Sequence, residues 1–297
     1  MKEVITICLV AGIVLAAGNF ALADTIRGIE MDFVTIGNAG NSHDTGGTPS
    51  CGAVSYNYSI GKYEVTNAQW NAFTAAAGAP TGNPSYAYSN GAYYTGAQQP
   101  TGQVSWYEAA QFCNYLTSGD KSKGAYQFSG DNTNPGDFLG IDRASSISTY
   151  GTTYVIPTED EWYKAAYYKP DNSGYSLYAN GLNTIPEADN GWNYYGGSYS
   201  APWNVGTGTM EQNGTFDMMG NFREWNETLF SDDYDTYRGI RGGSFGYFSD
   251  TLASYHQASY YPYGVYDEVG FRIASIPEPA TICLLGLGVL GLVRRKK

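Results

Sequence analysis

The 297-residue chain carries 28 acidic and 16 basic residues, giving a formal net charge of −12 and an isoelectric point near 4.5. This charge argues against nucleic-acid binding, because the phosphate backbone would be repelled. The 38 glycines and 28 tyrosines are high counts, while hydrophobic residues still make up 42% of the chain and include six tryptophans. The composition therefore excludes a largely disordered chain and predicts a folded domain rich in turns and aromatic side chains.

Residues 1–23 have the pattern of a secretory signal peptide. Lys2 precedes an apolar run at 4–17, and the small-residue sequence ALA follows at 21–23. We expect cleavage before Asp24. A membrane helix is the alternative, but the apolar run is short and a cleavage sequence follows it.

Residues 276–297 form a second targeting segment. The sequence IPEPA at 276–280 precedes an apolar stretch at 281–293, and RRKK follows at 294–297. An apolar run before a cation cluster is typical of a stop-transfer membrane segment, although a helix of this length spans only ~20 Å of the ~30 Å hydrocarbon core. The pattern closely resembles the PEP-CTERM sorting signal of Gram-negative bacteria. That resemblance implies an exosortase-type protease as partner, transient anchoring in the inner membrane, and a final place at the cell surface or in the extracellular matrix.

Residues 24–275 lie between these segments. No Pro-rich or charge-rich linker and no fixed-period repeat divides them, so a single domain is favoured. Cys51 and Cys113 are the cysteines of this region. In an oxidising compartment they would form a disulfide worth roughly 3–4 kcal/mol, and two free buried thiols are the alternative.

One signature predicts three helices in this region. A hydroxyl residue stands three positions before Gln or Glu, a capping box that satisfies unpaired backbone donors at a helix start. Strands are predicted at 29–36, 56–63, 237–245 and 269–274 from their apolar patterning. Loops rich in Gly, Asn, Ser and Tyr lie between them. The capping pairs are Thr66 with Gln69, Ser105 with Glu108, and Thr158 with Glu161.

The densest motif is the stretch at 214–226, where Asp217 and Glu224 flank Gly220. Glycine permits backbone conformations that turn carbonyls toward a common point, and calcium prefers such a mixture of carboxylate and carbonyl oxygens. The alternative is a structural turn whose acids face water. His43 beside Asp44 in a Gly/Ser-rich loop is read as solvated surface.

Several motifs, in this order, resemble the formylglycine-generating enzyme family, also called the sulfatase-modifying factor domain. Together they cover about residues 31–274. The resemblance implies an α+β domain with a C-type-lectin-like fold: a twisted antiparallel sheet, about three helices and much irregular loop. The motifs are GKYEVTNAQ at 61–69, VSW at 104–106, IPTEDEW at 156–162, DMMGN at 217–221 with EW at 224–225, RGGS at 241–244, and GFR at 270–272.

The chemistry of that family is not expected here. Its oxidases use a copper-binding cysteine pair shortly after the Gly-Gly-Ser turn, and this chain has Tyr247 and Leu252 at those positions. No cysteine occurs between residues 114 and 282. Neither side chain can bind Cu(I) as a thiolate does, so copper is not expected. His256 is a weak catalytic candidate, because no nucleophile–base set accompanies it.

The resemblance does imply structural calcium. The ligands carried over to this chain are the Asp217 side chain, the carbonyls of Gly220 and Phe222, and Glu224. A second family calcium would use Asn193 and the Tyr194 carbonyl, but its downstream acid is not evident here.

We therefore expect an exported, non-catalytic binding protein at the cell surface or in the matrix. A fold can outlast its chemistry, and tyrosine faces suit the apolar faces of sugars. The expected ligand is a glycan, an extracellular polysaccharide or another surface protein. The alternative is an enzyme of the same superfamily with altered chemistry.

Overall fold

The computed structural model describes residues 22–46, 50–88, 91–196, 201–231 and 236–278. Most of the expected signal peptide and the apolar segment at 281–293 lie outside these residues. None of the helices within the described ranges has both the length and the apolar character needed to cross a bilayer.

Four α-helices occur in the described residues: α1 Asn67–Ala77, α2 Trp106–Ser118, α3 Arg143–Tyr150 and α4 Glu159–Tyr167. The three predicted capping boxes are confirmed at the starts of α1, α2 and α4. The sequence prediction omitted α3, which has a different cap: the Asp142 carboxylate accepts the Ser145 N–H at 2.9 Å. The polar sequence of α3, RASSISTY, carries little apolar periodicity from which to predict a helix.

The described strands fall into three sheets. In chain order the strands are β1 Leu22–Ile26, β2 Ile29–Ile36, β3 Tyr58–Gly61, β4 Tyr126–Phe128, β5 Phe138–Ile141, β6 Thr153–Val155, β7 Arg223–Ser231, β8 Thr236–Arg241, β9 Ala258–Tyr260, β10 Val269–Gly270 and β11 Ala274–Ile276. The largest sheet has the order β1-β2-β3-β11-β6, a second has the order β10-β7-β8-β9, and β4 pairs with β5. This is the expected α+β architecture with much irregular loop.

The five-stranded sheet joins the two ends of the domain. Strand β1 pairs antiparallel with β2, placing Asp24 opposite Met31, so the strand spans the expected cleavage point. Strand β11 lies between β3 and β6 and pairs antiparallel with both. The last strand of the domain is therefore interior to the sheet, and the PEP sequence follows it directly.

Three fully buried tryptophans anchor the core around the four-stranded sheet. Trp106, Trp162 and Trp225 are each 0% exposed. Their indole N–H groups donate to the Asn226 carbonyl at 3.1 Å, a carboxylate oxygen of Glu224 at 2.7 Å and the Val104 carbonyl at 2.8 Å. Buried indoles are stabilising only when that donor is satisfied, so these bonds fix how the helices approach the sheet.

Candidate functional site

The loop at 214–226 is pinned by a buried ion pair between Glu224 and Arg272. Both side chains are 0% exposed, and the two guanidinium contacts measure 2.5 Å from Nη2 to Oε1 and 2.6 Å from Nε to Oε2. Trp162 donates its indole N–H to the same Oε2 at 2.7 Å. Both oxygens of Glu224 are thus occupied by donors from the protein, as a buried carboxylate requires.

Glu64 is a further buried acid that contacts this loop, and the sequence analysis did not single it out. It accepts a hydrogen bond from Nδ2 of Asn221 at 2.6 Å and from the Phe222 N–H at 2.8 Å. Burial, with the nearby charges of Asp217 and Glu224, raises the pKa of Glu64 well above its ordinary value. Glu64 therefore links the 61–69 motif to the loop at 214–226.

Glu211 holds the same loop from its other side. Its carboxylate accepts the N–H groups of Met218 and Met219 at 3.2 and 3.1 Å and the Thr215 hydroxyl at 2.9 Å. Burial raises the pKa of Glu211 to about 8. The backbone donors of the loop are therefore satisfied by a side chain, in the manner of a cap.

Asp217 and Glu224, the acids expected to bind calcium, are held in different ways. Asp217 adopts φ +61°, its Oδ2 accepts the Gly206 N–H at 2.8 Å, and burial raises its pKa to about 6. Glu224 does not fit a calcium ligand in this arrangement, because a cation there would face the guanidinium of Arg272. Within the described ranges, no group of three or more His, Cys, Asp or Glu side chains could hold a metal. Calcium on Asp217 and the carbonyls of Gly220 and Phe222 stays a prediction.

Asn193, the residue expected at a second calcium, joins its own loop to the 214–226 loop. Its carbonyl accepts the Asn221 N–H at 2.7 Å, and its Nδ2 donates to the Ala201 carbonyl at 3.0 Å. A Cβ at Gly220 would lie 2.2 Å from the Asn193 carbonyl oxygen, so only glycine fits there. The contacts give Asn193 a structural part, and its calcium role stays a prediction.

The disulfide expected between Cys51 and Cys113 is not present, and both are free, buried thiols. They lie in separate charged surroundings. Cys51 lies 4.0 Å from Nη2 of Arg241, whereas Cys113 is inside α2, near the charges of Glu227 and Arg143. Burial raises the pKa of Cys51 to about 12, so this thiol is neutral and a poor nucleophile at ordinary pH.

The two positions that would carry the family's cysteines have different environments. Tyr247 is half-buried, and its ring centroid lies 3.4 Å from Cζ of Arg223. Leu252 is 0% exposed, and its carbonyl accepts the Tyr167 hydroxyl at 3.0 Å. One position therefore belongs to the surface and the other to the core, so they no longer form a pair open to a substrate.

His256 is half-buried beside this segment. Burial lowers its pKa, and the charges of Arg223 and Arg241 act in the same direction, so the imidazole is neutral at neutral pH. Its backbone carbonyl accepts a hydrogen bond from Arg241. No described hydrogen bond joins its imidazole to a nucleophile or an orienting carboxylate, so the geometry gives it no catalytic partner set.

Around Tyr247 the four-stranded sheet carries a set of aromatic rings that we call the tyrosine face. Arg223, the first residue of β7, stacks on Tyr247 and donates from Nη1 to the Tyr260 hydroxyl at 2.8 Å. Tyr260 packs on Tyr266 with ring centroids 4.2 Å apart. The face consists of Arg223 with Tyr86, Tyr237, Tyr247, Tyr260, Tyr261, Tyr263 and Tyr266.

Further rings extend the face toward the loop that precedes α2. Tyr261 stacks on Tyr263 at 5.0 Å with an interplanar angle of 17°, and Tyr263 meets Tyr86 edge-on at 5.4 Å. Tyr237 packs against Tyr261 at 4.7 Å, with their hydroxyls 3.2 Å apart. Tyr86 is 62% exposed, and the other rings are half-buried. Rings locked against one another present a contact surface at little cost in conformational entropy.

Arg223 supplies the positive charge of this face. It is only 6% exposed, and among the described residues it forms no salt bridge. Its guanidinium interacts instead with the ring of Tyr247 and the hydroxyl of Tyr260. The cation thereby makes the face rigid, and it directs the Tyr260 oxygen as an acceptor.

The sequence analysis missed Arg223 and Tyr260 as site residues. Arg223 lies within the motif stretch at 217–225, and tyrosines cluster at 260–266 in the sequence YYPYGVY. That density was a usable signal. The stacking of Arg223 on Tyr247 had no such signal, because Tyr247 lies on a loop that only the folded sheet brings to β7.

A family model described as "Sulfatase-modifying factor enzyme 1-like domain" matches residues 10–276, and one described as "PEP-CTERM protein-sorting motif" matches residues 275–297. A curated relative, "Chaperone protein LppX" of Paenibacillus barcinonensis, is 29% identical over an alignment of 185 positions that covers 56% of this chain. The chain spans 60% of that relative's length.

Among solved structures, similarity extends over nearly the whole domain. "Treponema denticola variable protein 1" aligns with a TM-score of 0.60 and 23% identity over 87% of this chain and 99% of its own. "CarF" aligns with a TM-score of 0.62 and 20% identity over 82% of this chain and 97% of its own. "PvdO from Pseudomonas aeruginosa" aligns with a TM-score of 0.59 and 16% identity over 86% and 98%. At these identities the likeness is one of fold.

Proposed function

The chain belongs to the sulfatase-modifying factor enzyme 1-like family and carries a PEP-CTERM sorting motif, and from that premise we propose that it is an exported, non-catalytic binding protein. It would act at the cell surface or in the extracellular matrix after processing by an exosortase-type protease. Its ligand would be a polysaccharide bound on the tyrosine face. The observation that carries the proposal is the stack of Arg223 on Tyr247, where the family pattern has a cysteine.

With tyrosine in place of that cysteine, the site is unsuited to cysteine oxidation and suited to sugar binding. Cysteine oxidation needs a thiolate pair, whereas Tyr247 offers a ring and Leu252 is enclosed by the core. Half-buried rings with hydroxyl edges match sugars, because a pyranose has an apolar C–H face and polar hydroxyls around it. The net charge of −12 favours a neutral polysaccharide over an acidic one.

A polypeptide ligand is the second candidate. Phe248, which follows Tyr247 in the chain, is 64% exposed, and Tyr255 is 54% exposed; apolar rings of this kind also suit extended peptide. The curated relative's printed name, a chaperone protein, favours the same class of ligand.

Affinity electrophoresis of the purified protein through gels containing dextran, soluble cellulose derivative or alginate tests the proposal. We expect retardation by a neutral polysaccharide and weaker retardation by alginate. Tyr263→Ala should reduce retardation at least fivefold, and Tyr150→Ala, a 40% exposed tyrosine on α3, is the matched control. Equal retardation of the Tyr263 and Tyr150 variants, or none by any polysaccharide, would refute binding on this face. Retardation by denatured casein alone would favour the polypeptide.

A further inference from the structure

A second concave site lies apart from the tyrosine face, between the loop that follows β2 and the loop that follows α4. It is a cavity of about 630 Å³, within the roughly 300–1,000 Å³ typical of small-ligand sites. One wall is formed by residues 38–45, and the other by Tyr168, Asn172, Gly174 and Tyr175. None of these residues belongs to the tyrosine face, so the inference does not rest on the proposed function.

Hydrogen bonds between the two loops make the cavity rigid. Nδ2 of Asn41 donates to the Tyr175 hydroxyl at 2.7 Å and to the Gly52 carbonyl at 2.8 Å. The Tyr175 hydroxyl donates in turn to the Ser42 carbonyl at 2.9 Å. Asp44 accepts the Tyr163 hydroxyl at 2.7 Å. The walls are therefore formed before any ligand arrives, which lowers the entropic cost of binding.

The charges around the cavity favour a neutral ligand. Lys164 is 0% exposed behind one wall, where its Nζ donates to the Asn38 carbonyl at 3.0 Å and lies 5.9 Å from the Tyr168 ring centroid. Burial lowers the pKa of Lys164 to about 8, and in the described ranges it forms no salt bridge. The carboxylate of Asp44 lines the cavity itself and carries the opposite charge. A strongly charged ligand would meet one of the two unfavourably.

The surfaces open to a ligand are polar groups beside aromatic rings. Asn172 uses only its side-chain oxygen, which accepts the Tyr168 hydroxyl, so both N–H donors of its amide are available within the described contacts. The hydroxyls of Ser42 and Thr45 also line the cavity. The rings of Tyr168 and Tyr175 pack 4.9 Å apart on the same wall. Amide and hydroxyl groups next to tyrosine rings form the chemical counterpart of a polyol with an apolar face.

We propose that this cavity binds a neutral pyranose sugar, either free or at the end of a glycan. Its hydroxyls would bond to the Asn172 amide and the Asp44 carboxylate, and its C–H face would lie on the partly exposed ring of Tyr175. The site is independent of the sheet that carries the tyrosine face, so the molecule has two places for carbohydrate.

Ligand-observed saturation-transfer NMR on the purified full chain tests this site. The probes are methyl α-D-glucopyranoside, methyl β-D-galactopyranoside and sodium glucuronate. Asn172→Gly removes the amide while keeping the backbone at its φ of +64°, and Ser42→Trp fills the cavity. Asp189→Gly, at another exposed position with a φ of +59°, is the matched control.

We expect saturation transfer to at least one neutral pyranoside, falling fivefold or more in Asn172→Gly and in Ser42→Trp and unchanged in Asp189→Gly. Retained transfer in Tyr263→Ala, whatever that variant does to polysaccharide binding, would support an independent cavity. The proposal is overturned if no neutral pyranoside receives transfer, if the two cavity variants behave like the control, or if glucuronate binds as well as the neutral sugars.

Discussion

The buried loop around Glu224 and the tyrosine face are adjacent on strand β7, but the arginine of each has a different kind of partner. On the loop, Arg272 meets a carboxylate with both ends of its guanidinium, and tryptophan completes the pair. On the face, one residue away, the partners of Arg223 within the described ranges are aromatic rings and a hydroxyl. The framework motifs of the family thus form a buried charged network here, whereas the surface beside them carries the aromatic rings on which the proposed binding depends.

The largest expected effect comes from breaking the buried network. Arg272→Met should lower the free energy of unfolding by roughly 3–5 kcal/mol, because it leaves Glu224 buried without a counter-charge. Urea denaturation followed by tryptophan fluorescence measures this. The double variant Arg272→Met with Glu224→Gln should recover part of the loss, and Lys123→Met, at a 62% exposed ion pair, should cost less than about 1 kcal/mol. Equal costs for Arg272→Met and Lys123→Met would contradict the network.

The next largest expected effect is a pH dependence of the free energy of unfolding, which arises from the protonation of Glu211. Its pKa in the folded protein is about 8, against an ordinary value of 4.5, so the native state holds a proton that the unfolded chain releases in this range. The free energy of unfolding should therefore fall as the pH rises from about 4.5 to 8, by an amount on the order of a few kcal/mol. Asp217, with a pKa of about 6 against 3.8, acts in the same direction.

Urea titrations at pH 5, 6.5 and 8 measure that slope. Glu211→Gln should make it shallower, because the amide has no proton to release and the contribution of Asp217 remains, whereas Glu187→Gln, at an exposed acid, should leave it unchanged. A wild-type stability that rises between pH 5 and 8 would contradict the assignment of Glu211 and Asp217.

Arg223→Met tests the role of the arginine on the tyrosine face. We expect it to lower the free energy of unfolding by only about 1–2 kcal/mol, the range for loss of a stacked cation and one hydrogen bond. Retardation by polysaccharide should nevertheless fall at least fivefold, since Tyr247 and Tyr260 lose the group that orients them. A stability loss as large as that of Arg272→Met would mean that the two arginines have the same role.

The smallest effect concerns the cysteines. Because Cys51 and Cys113 are free thiols, a reducing agent should leave the thermal midpoint unchanged within about 1 °C. Differential scanning fluorimetry with and without dithiothreitol checks this. A fall in the midpoint on reduction would show that the exported protein forms the disulfide after all.

Much of the fold could be predicted from the sequence because its signals are local. The capping boxes of Thr66, Ser105 and Thr158 each specify a helix start through side chains three residues apart. The start of α3 at Asp142 lacks the Gln or Glu three residues later that completes a capping box, so it escaped prediction.

The site was less predictable because its contacts are distant in the chain. Asp217 and Glu224 lie within one motif, and their spacing favoured a shared cation. Arg272, 48 residues beyond Glu224, pairs with it instead. Neither Glu64, whose contact with Asn221 spans 157 residues, nor the stacking of Arg223 on Tyr247 leaves a local pattern.

Strand β11 has a mechanical consequence. It carries hydrogen bonds to β3 on one edge and to β6 on the other, and the sorting motif begins within a residue of its end. A force applied to the sorting motif would act on the hydrogen bonds to β3 and to β6 at the same time. The sorting motif is thus attached to an interior strand, and tension on it would have to break the pairing with both neighbouring strands before β11 separated.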